Sequence, residues 1–339
     1  MVFFYYPTRD YNPLPASMAD YGPWQSRIAR EGGLIGPACW VVQTCLQLQS
    51  RGFGCRLTQD PPSAGIVIAH FDDMPQTLSQ RGAAYWVCAL ADRQNAHPFA
   101  NYYVLQNPYQ RLRTRQPSSH VLHWKQPGLI PRAAARQGLF THLRFFGEHV
   151  SLAPEFTQPD FIGWCEREGF DFQVVPREHW HNYSDCDAVI GVRGLHAGWV
   201  HDKPATKLVN AWVAGAPAIL GRESAFRALG APGETYLEAA SMADVRGHLI
   251  ALRNDRQLLQ SIVNSGFARA GCASDDSITQ MWVDAIDRQI KPRAARWHRY
   301  GVLRLWHRAS ARLLQGLAWR YRLISTEFVE PPLNTRAAS

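Results

Sequence analysis

Short apolar runs separated by longer helical patterns constrain this chain more than any other feature. Residues 65–69 form a β-branched run ending at His70, residues 84–90 lead to Asp92, and residues 101–105 lead to Gln106-Asn107-Pro108. The second half repeats the plan, with runs at 142–146, 170–175, 187–192 and 218–220. Helical spacing falls at 37–51, 159–168, 206–214, 241–254 and 256–270. Apolar strands without polar alternation, set between helices, predict parallel sheets covered on both faces.

The chain therefore reads as α/β, with two consecutive Rossmann-like halves. Its 339 residues suit two domains of ordinary size. The Pro- and Gly-rich segment 125–132 marks the junction. The expected division is an N-terminal domain over 1–130, a second domain over 131–272, basic amphipathic helices over 273–325 and a tail over 326–339.

Net charge is +8, which favours anionic partners such as phosphates or an acidic membrane face. Seven cysteines without a C-x-x-C pair read as reduced thiols rather than disulfides or a zinc site. The N-terminus lacks the basic start and long apolar core of a signal peptide. No run of about 18 apolar residues is present to span a bilayer. A cytoplasmic protein is expected, with the inner membrane face as a second location.

The segment from Asp202 to Leu220 carries the most chemistry. Pro204 suits a helix start, Gly215 a helix stop, and Pro217 prevents continuation before the next strand. A helix start at Thr206 offers free N–H groups and the positive end of the helix dipole, and so attracts phosphate. Lys203 and Lys207 add two full charges there, while Asp202 and Asn210 can accept hydrogen bonds from sugar hydroxyls.

This segment resembles the donor-binding motif of GT-B glycosyltransferases: an acid, seven residues, a second acid, then Ala-x-x-x-Gly-x-Pro. Ala211, Gly215 and Pro217 match its tail, and Asp202 stands at the first acid. Asn210 replaces the second acid, which in that family holds the donor ribose. The resemblance runs from about residue 122 to 282 and covers the N-terminal half by architecture alone. It implies two Rossmann-like domains facing across a cleft, with a nucleotide-sugar donor on the second and an acceptor on the first. It further implies metal-independent sugar transfer to a glycan or lipid-linked acceptor in cell-surface polysaccharide synthesis, with retained stereochemistry. The donor is a substrate, and no cofactor is expected. The ribose contact falls to Asn210, to another acid such as Glu223, or to nothing.

Further candidates lie at strand ends, where open α/β sheets bind ligands. Arg193 is expected to neutralise the leaving diphosphate jointly with Lys207. His70, Asp72 and Asp73 are candidate bases for the acceptor hydroxyl, or Asp caps of a loop. Gly32, Gly33 and Gly36 form a glycine loop that either approaches a phosphate or closes a tight turn. The loop does not spell a dinucleotide fingerprint, which disfavours an NAD-type oxidoreductase. The histidines lack metal-ligand spacing, so no metal site is expected.

No acid occurs between Arg288 and Arg322, where arginines interleave with Trp297, Trp306 and Trp319. This stretch suits an anionic membrane surface or a helix packed on the first domain. No nucleic-acid module is recognisable. The alternative to an enzyme is a catalytically silent GT-B-shaped scaffold, which the missing second carboxylate motivates.

Overall fold

A computed structural model describes residues 1–77, 81–110, 117–195 and 199–299. The chain forms two compact units. One comprises Met1–Leu122 together with the described residues from Ile278, and the other His123–Ser277.

Unit 1 is built on six parallel strands: β1 (Val2–Tyr5), β2 (Cys55–Thr58), β3 (Ile66–His70), β4 (Tyr85–Ala89), β5 (Tyr102–Leu105) and β6 (Ser118–His120). Their spatial order is β2-β1-β3-β4-β5-β6. Every residue of β3 and β4 is buried, which explains their lack of polar alternation. Phe4 and Trp40 meet Trp282 at ring-centroid distances of 6.1 and 6.2 Å, so the returning chain completes this core.

Unit 2 holds five parallel strands: β7 (His142–Phe146), β8 (Asp171–Val175), β9 (Ala188–Gly191), β10 (Ala218–Leu220) and β11 (Leu237–Glu238). Their order is β11-β10-β9-β7-β8. Renumbered from its own first strand, this sheet follows the order of unit 1: the first strand lies between the second and the third. Two Rossmann-like α/β units are thus present, as the alternating runs predict.

The helix Thr206–Ala214 ends at Gly215, whose φ of 69° is the left-handed conformation that glycine adopts without a Cβ penalty. At the amino ends of β7 and β9, buried Asp187 accepts from Arg132 and Arg136 and from the N–H groups of Thr141 and His142. Burial alone would raise the Asp187 pKa, but these donors outweigh it and hold the carboxyl below its usual range. The network clamps the start of unit 2 to its sheet.

Among the described residues, no helix is long and apolar enough to cross a membrane. Lys291–Arg299 is helical and packs on unit 1. Trp297 is buried there, donates to the Ala83 carbonyl at 3.2 Å and lies 4.5 Å beneath the Arg81 guanidinium. For these residues the packed-helix reading of the basic stretch holds. Residues 300–322, and with them most of the expected membrane-facing stripe, lie outside the described residues.

Candidate functional site

In a sheet of this order the connections leave in opposite directions on either side of the first strand. A crevice opens there at the carboxyl edge, between the ends of the first and third strands. In unit 2 that place lies between β7 and β9, beyond Phe146 and Gly191.

Lys207, in the first turn of the Thr206–Ala214 helix, reaches this place. A Cβ added to Gly147 would sit 3.1 Å from Lys207 Nζ, and one added to Gly191 would sit 3.2 Å from Lys207 Cδ. Its ammonium also lies 5.0 Å from the centre of the Phe145 ring. Two glycines at the strand ends thus leave the volume that the lysine stem fills. Both were missed at the sequence level, because this use of glycine is tertiary and leaves no local pattern.

Arg193 follows β9 by two residues and Glu223 follows β10 by three. Arg193 Nε donates to Glu223 Oε1 at 2.9 Å. Glu223 is 1% exposed, and its Oε2 has no hydrogen-bond partner. Burial pushes the Glu223 carboxyl up, while Arg193, Lys207 and Lys203 draw it back down. Lys203 lies 3.8 Å from Asp202, and both are partly buried. The helix start itself has no side-chain cap, since Ala205 occupies the N-cap position. Thr206 Oγ1 is buried without a partner. Three cations, an uncapped helix start and two unsatisfied oxygens therefore converge on the switch point of one sheet.

Asn210 is 5% exposed, and its Oδ1 accepts from the Gln126 N–H at 3.0 Å. This contact fastens the segment entering unit 2.

In unit 1 the corresponding switch point lies between β1 and β3. His70 ends β3, and Asp72 and Asp73 follow in a 3-10 turn. The structure separates their roles. Asp72 is held by Arg93 in a two-pronged pair, with Nη2 contacts of 2.7 Å to both carboxylate oxygens. His70 Nδ1 accepts from the Asp72 N–H at 3.3 Å, which places the ring proton of the neutral imidazole on Nε2. Asp73 makes no such pair: its Oδ2 is buried without a partner. Burial, and next the Asp72 charge, push the Asp73 carboxyl up to about 7.

The glycine loop divides. Gly32 takes a φ of 78° at the end of the helix Met18–Arg30. Gly33 leaves room for Tyr11, because a Cβ there would fall 2.4 Å from the tyrosine oxygen. These two make the tight turn. Gly36 alone adjoins the candidate residues, with a Cβ position 3.7 Å from His70 Nε2.

No protein-family model and no curated protein matches the chain. Solved structures do. HepE from Anabaena, in complex with UDP and glucose, is similar over 85% of this chain and 99% of its own, at 10% identity and a TM-score of 0.49. AviGT4, a glycosyltransferase involved in avilamycin A biosynthesis, is similar over 85% and 96%, at 13% identity and a TM-score of 0.49. The pneumococcal O-GlcNAc transferase GtfA, in complex with UDP and GlcNAc, is similar over 67% and 57%, at 9% identity and a TM-score of 0.48.

Proposed function

We propose that this chain is a glycosyltransferase that takes a sugar from a nucleotide-activated donor, with the donor diphosphate at the start of the Thr206–Ala214 helix. The observation that carries this reading is the convergence of Arg193, Lys203 and Lys207 with an uncapped helix start at the unit 2 switch point. Positive groups fixed where a phosphate leaves stabilise the charge that develops on it. Asp202 and Thr206 supply polar contacts beside that position. A glycan or lipid-linked acceptor in cell-surface polysaccharide synthesis, used at the cytoplasmic face of the membrane, completes the proposal.

On unit 1, Asp73 is the proposed proton acceptor for the acceptor hydroxyl, because Asp72 is committed to Arg93. A base with a pKa near the working pH combines the right protonation state with proton affinity.

Thermal unfolding in the presence of UDP, GDP and dTDP sugars tests the donor site. One of these is expected to raise the melting temperature of the native protein, and Lys207→Ala is expected to abolish the rise. If no nucleotide sugar stabilises the native protein, the reading fails.

The replacement of the second acid by Asn210, whose Oδ1 is bound to Gln126, favours a second reading, a GT-B-shaped binding protein without transfer activity. Mass-spectrometric product detection separates the two. A donor that binds yet is never consumed, with any acceptor in a glycan and lipid-phosphate panel, favours the binding protein.

A further inference from the structure

Arg193 is tied to unit 2 by one nitrogen. Its Nε donates to Glu223 Oε1 at 2.9 Å, and its terminal N–H donors meet no acceptor among the described residues. The pair in unit 1 is built otherwise. There Arg93 gives Asp72 its Nε and an Nη2 together, so the carboxylate takes up a whole edge of the guanidinium. Glu223 leaves the terminal groups of Arg193 unspent.

Glu223 itself is firmly placed. The Val200 N–H donates to the Arg222 carbonyl at 3.3 Å, and the Val200 carbonyl accepts from the Ser224 N–H at 3.0 Å and from the Ser224 hydroxyl at 3.1 Å. Gly221 lies against the segment that carries Arg193: a Cβ added to it would sit 3.4 Å from Val192 Cα and 3.7 Å from the Arg193 nitrogen. The Glu223 side chain is 1% exposed and that of Arg193 18%. The second Glu223 oxygen is buried without a partner. A buried carboxylate with one contact contributes little to stability, because desolvation offsets the gain. What the contact does is hold a long, rotamer-rich side chain in one place, so that less freedom is lost when a ligand arrives. Arg193 is also well sited for a ligand. The Lys207 stem lies over Gly191, two residues before Arg193, so both cations stand at the end of one strand.

We propose that Glu223 is a positioning residue: it holds Arg193 by Nε and so keeps the terminal nitrogens of the guanidinium open for the oxygens of a diphosphate ligand. Glu223 acts through Arg193 and does not touch the ligand.

This inference rests on the reading of the unit 2 switch point as a diphosphate site, and the test separates the two. Isothermal titration calorimetry with inorganic pyrophosphate compares Glu223→Gln with Glu223→Met, each with Arg193 present and with Arg193→Ala. Both substitutions remove the charge and keep the length, so charge effects on the ligand cancel between them. Only Gln still offers an oxygen to Arg193 Nε. Glu223→Gln is therefore expected to bind pyrophosphate about tenfold more tightly than Glu223→Met, as a hydrogen bond to a charged group implies. In the Arg193→Ala background the ratio is expected to fall to about one.

Equal affinities of the Gln and Met proteins with Arg193 present overturn the proposal. So does a ratio that survives Arg193→Ala, the result expected if Glu223 only supports the fold. Glu223→Ala takes the place of Glu223→Met if the latter does not unfold cooperatively. Loss of pyrophosphate binding in Lys207→Ala, alongside either overturning result, leaves the diphosphate site standing without the role of Glu223. A native protein that binds no pyrophosphate removes both.

Discussion

Asp73 shows how one neighbour divides two adjacent carboxylates. Asp72 has Arg93; Asp73 has burial and the Asp72 charge, and its pKa rises to about 7. The folded protein therefore holds a proton that the unfolded chain, with an ordinary Asp pKa, gives up near pH 4. Stability is lost as pH rises from about 4 through about 7, because over that window the native state binds more protons. Asp73→Asn removes this dependence. Its melting temperature is expected to match the native protein's near pH 4 and exceed it at pH 8. Gly147 offers a second prediction. Alanine there would place a Cβ 2.9 Å from the Phe145 ring and 3.1 Å from the Lys207 ammonium. Gly147→Ala is expected to displace Lys207 and weaken donor-dependent stabilisation several-fold, read by thermal shift, while the protein still unfolds cooperatively.

At the level of elements, what was legible followed from where the side chains point. Strands β3, β4 and β5 are buried along their length, so an apolar run announced each. The helices Pro159–Glu168 and Thr206–Ala214 carried Pro and Gly punctuation and begin and end where expected. Strand β1 gave no such signal: four residues at the N-terminus are too short to show a period. The helix Met18–Arg30 was hidden by Pro23 in its interior, although Ser17 caps it by accepting from the Asp20 N–H. Charged site residues were legible because Lys, Arg and Glu stand out at strand and helix ends. Their partners were not, since the Arg193–Glu223 and Asn210–Gln126 contacts join residues far apart in the chain. The Lys291–Arg299 helix shows the same limit: its arginines left a membrane surface and a packed helix both open, and Trp297 goes into unit 1. Trp297→Ala is expected to destabilise unit 1 by about 3–5 kcal/mol, the usual cost of emptying a buried indole site. Urea unfolding followed by tryptophan fluorescence measures it.

Across the whole molecule, unit 1 is assembled from both ends of the described chain, whereas unit 2 is one continuous stretch. Removing residues from Ile278 onward uncovers Phe4 and Trp40, which pack on Trp282. Scanning calorimetry of that truncation is expected to show the unit 1 transition lowered or lost and the unit 2 transition kept. The shared strand order has a different consequence. Each unit has one switch point at the carboxyl edge of its sheet, and the side chains that stand there differ. Aspartates stand at one, and an arginine with two lysines at the other. A single backbone plan, used twice, has thus set carboxyl groups at one harbour and cationic groups at the other, and the proposed function has a phosphorylated metabolite berth only at the second.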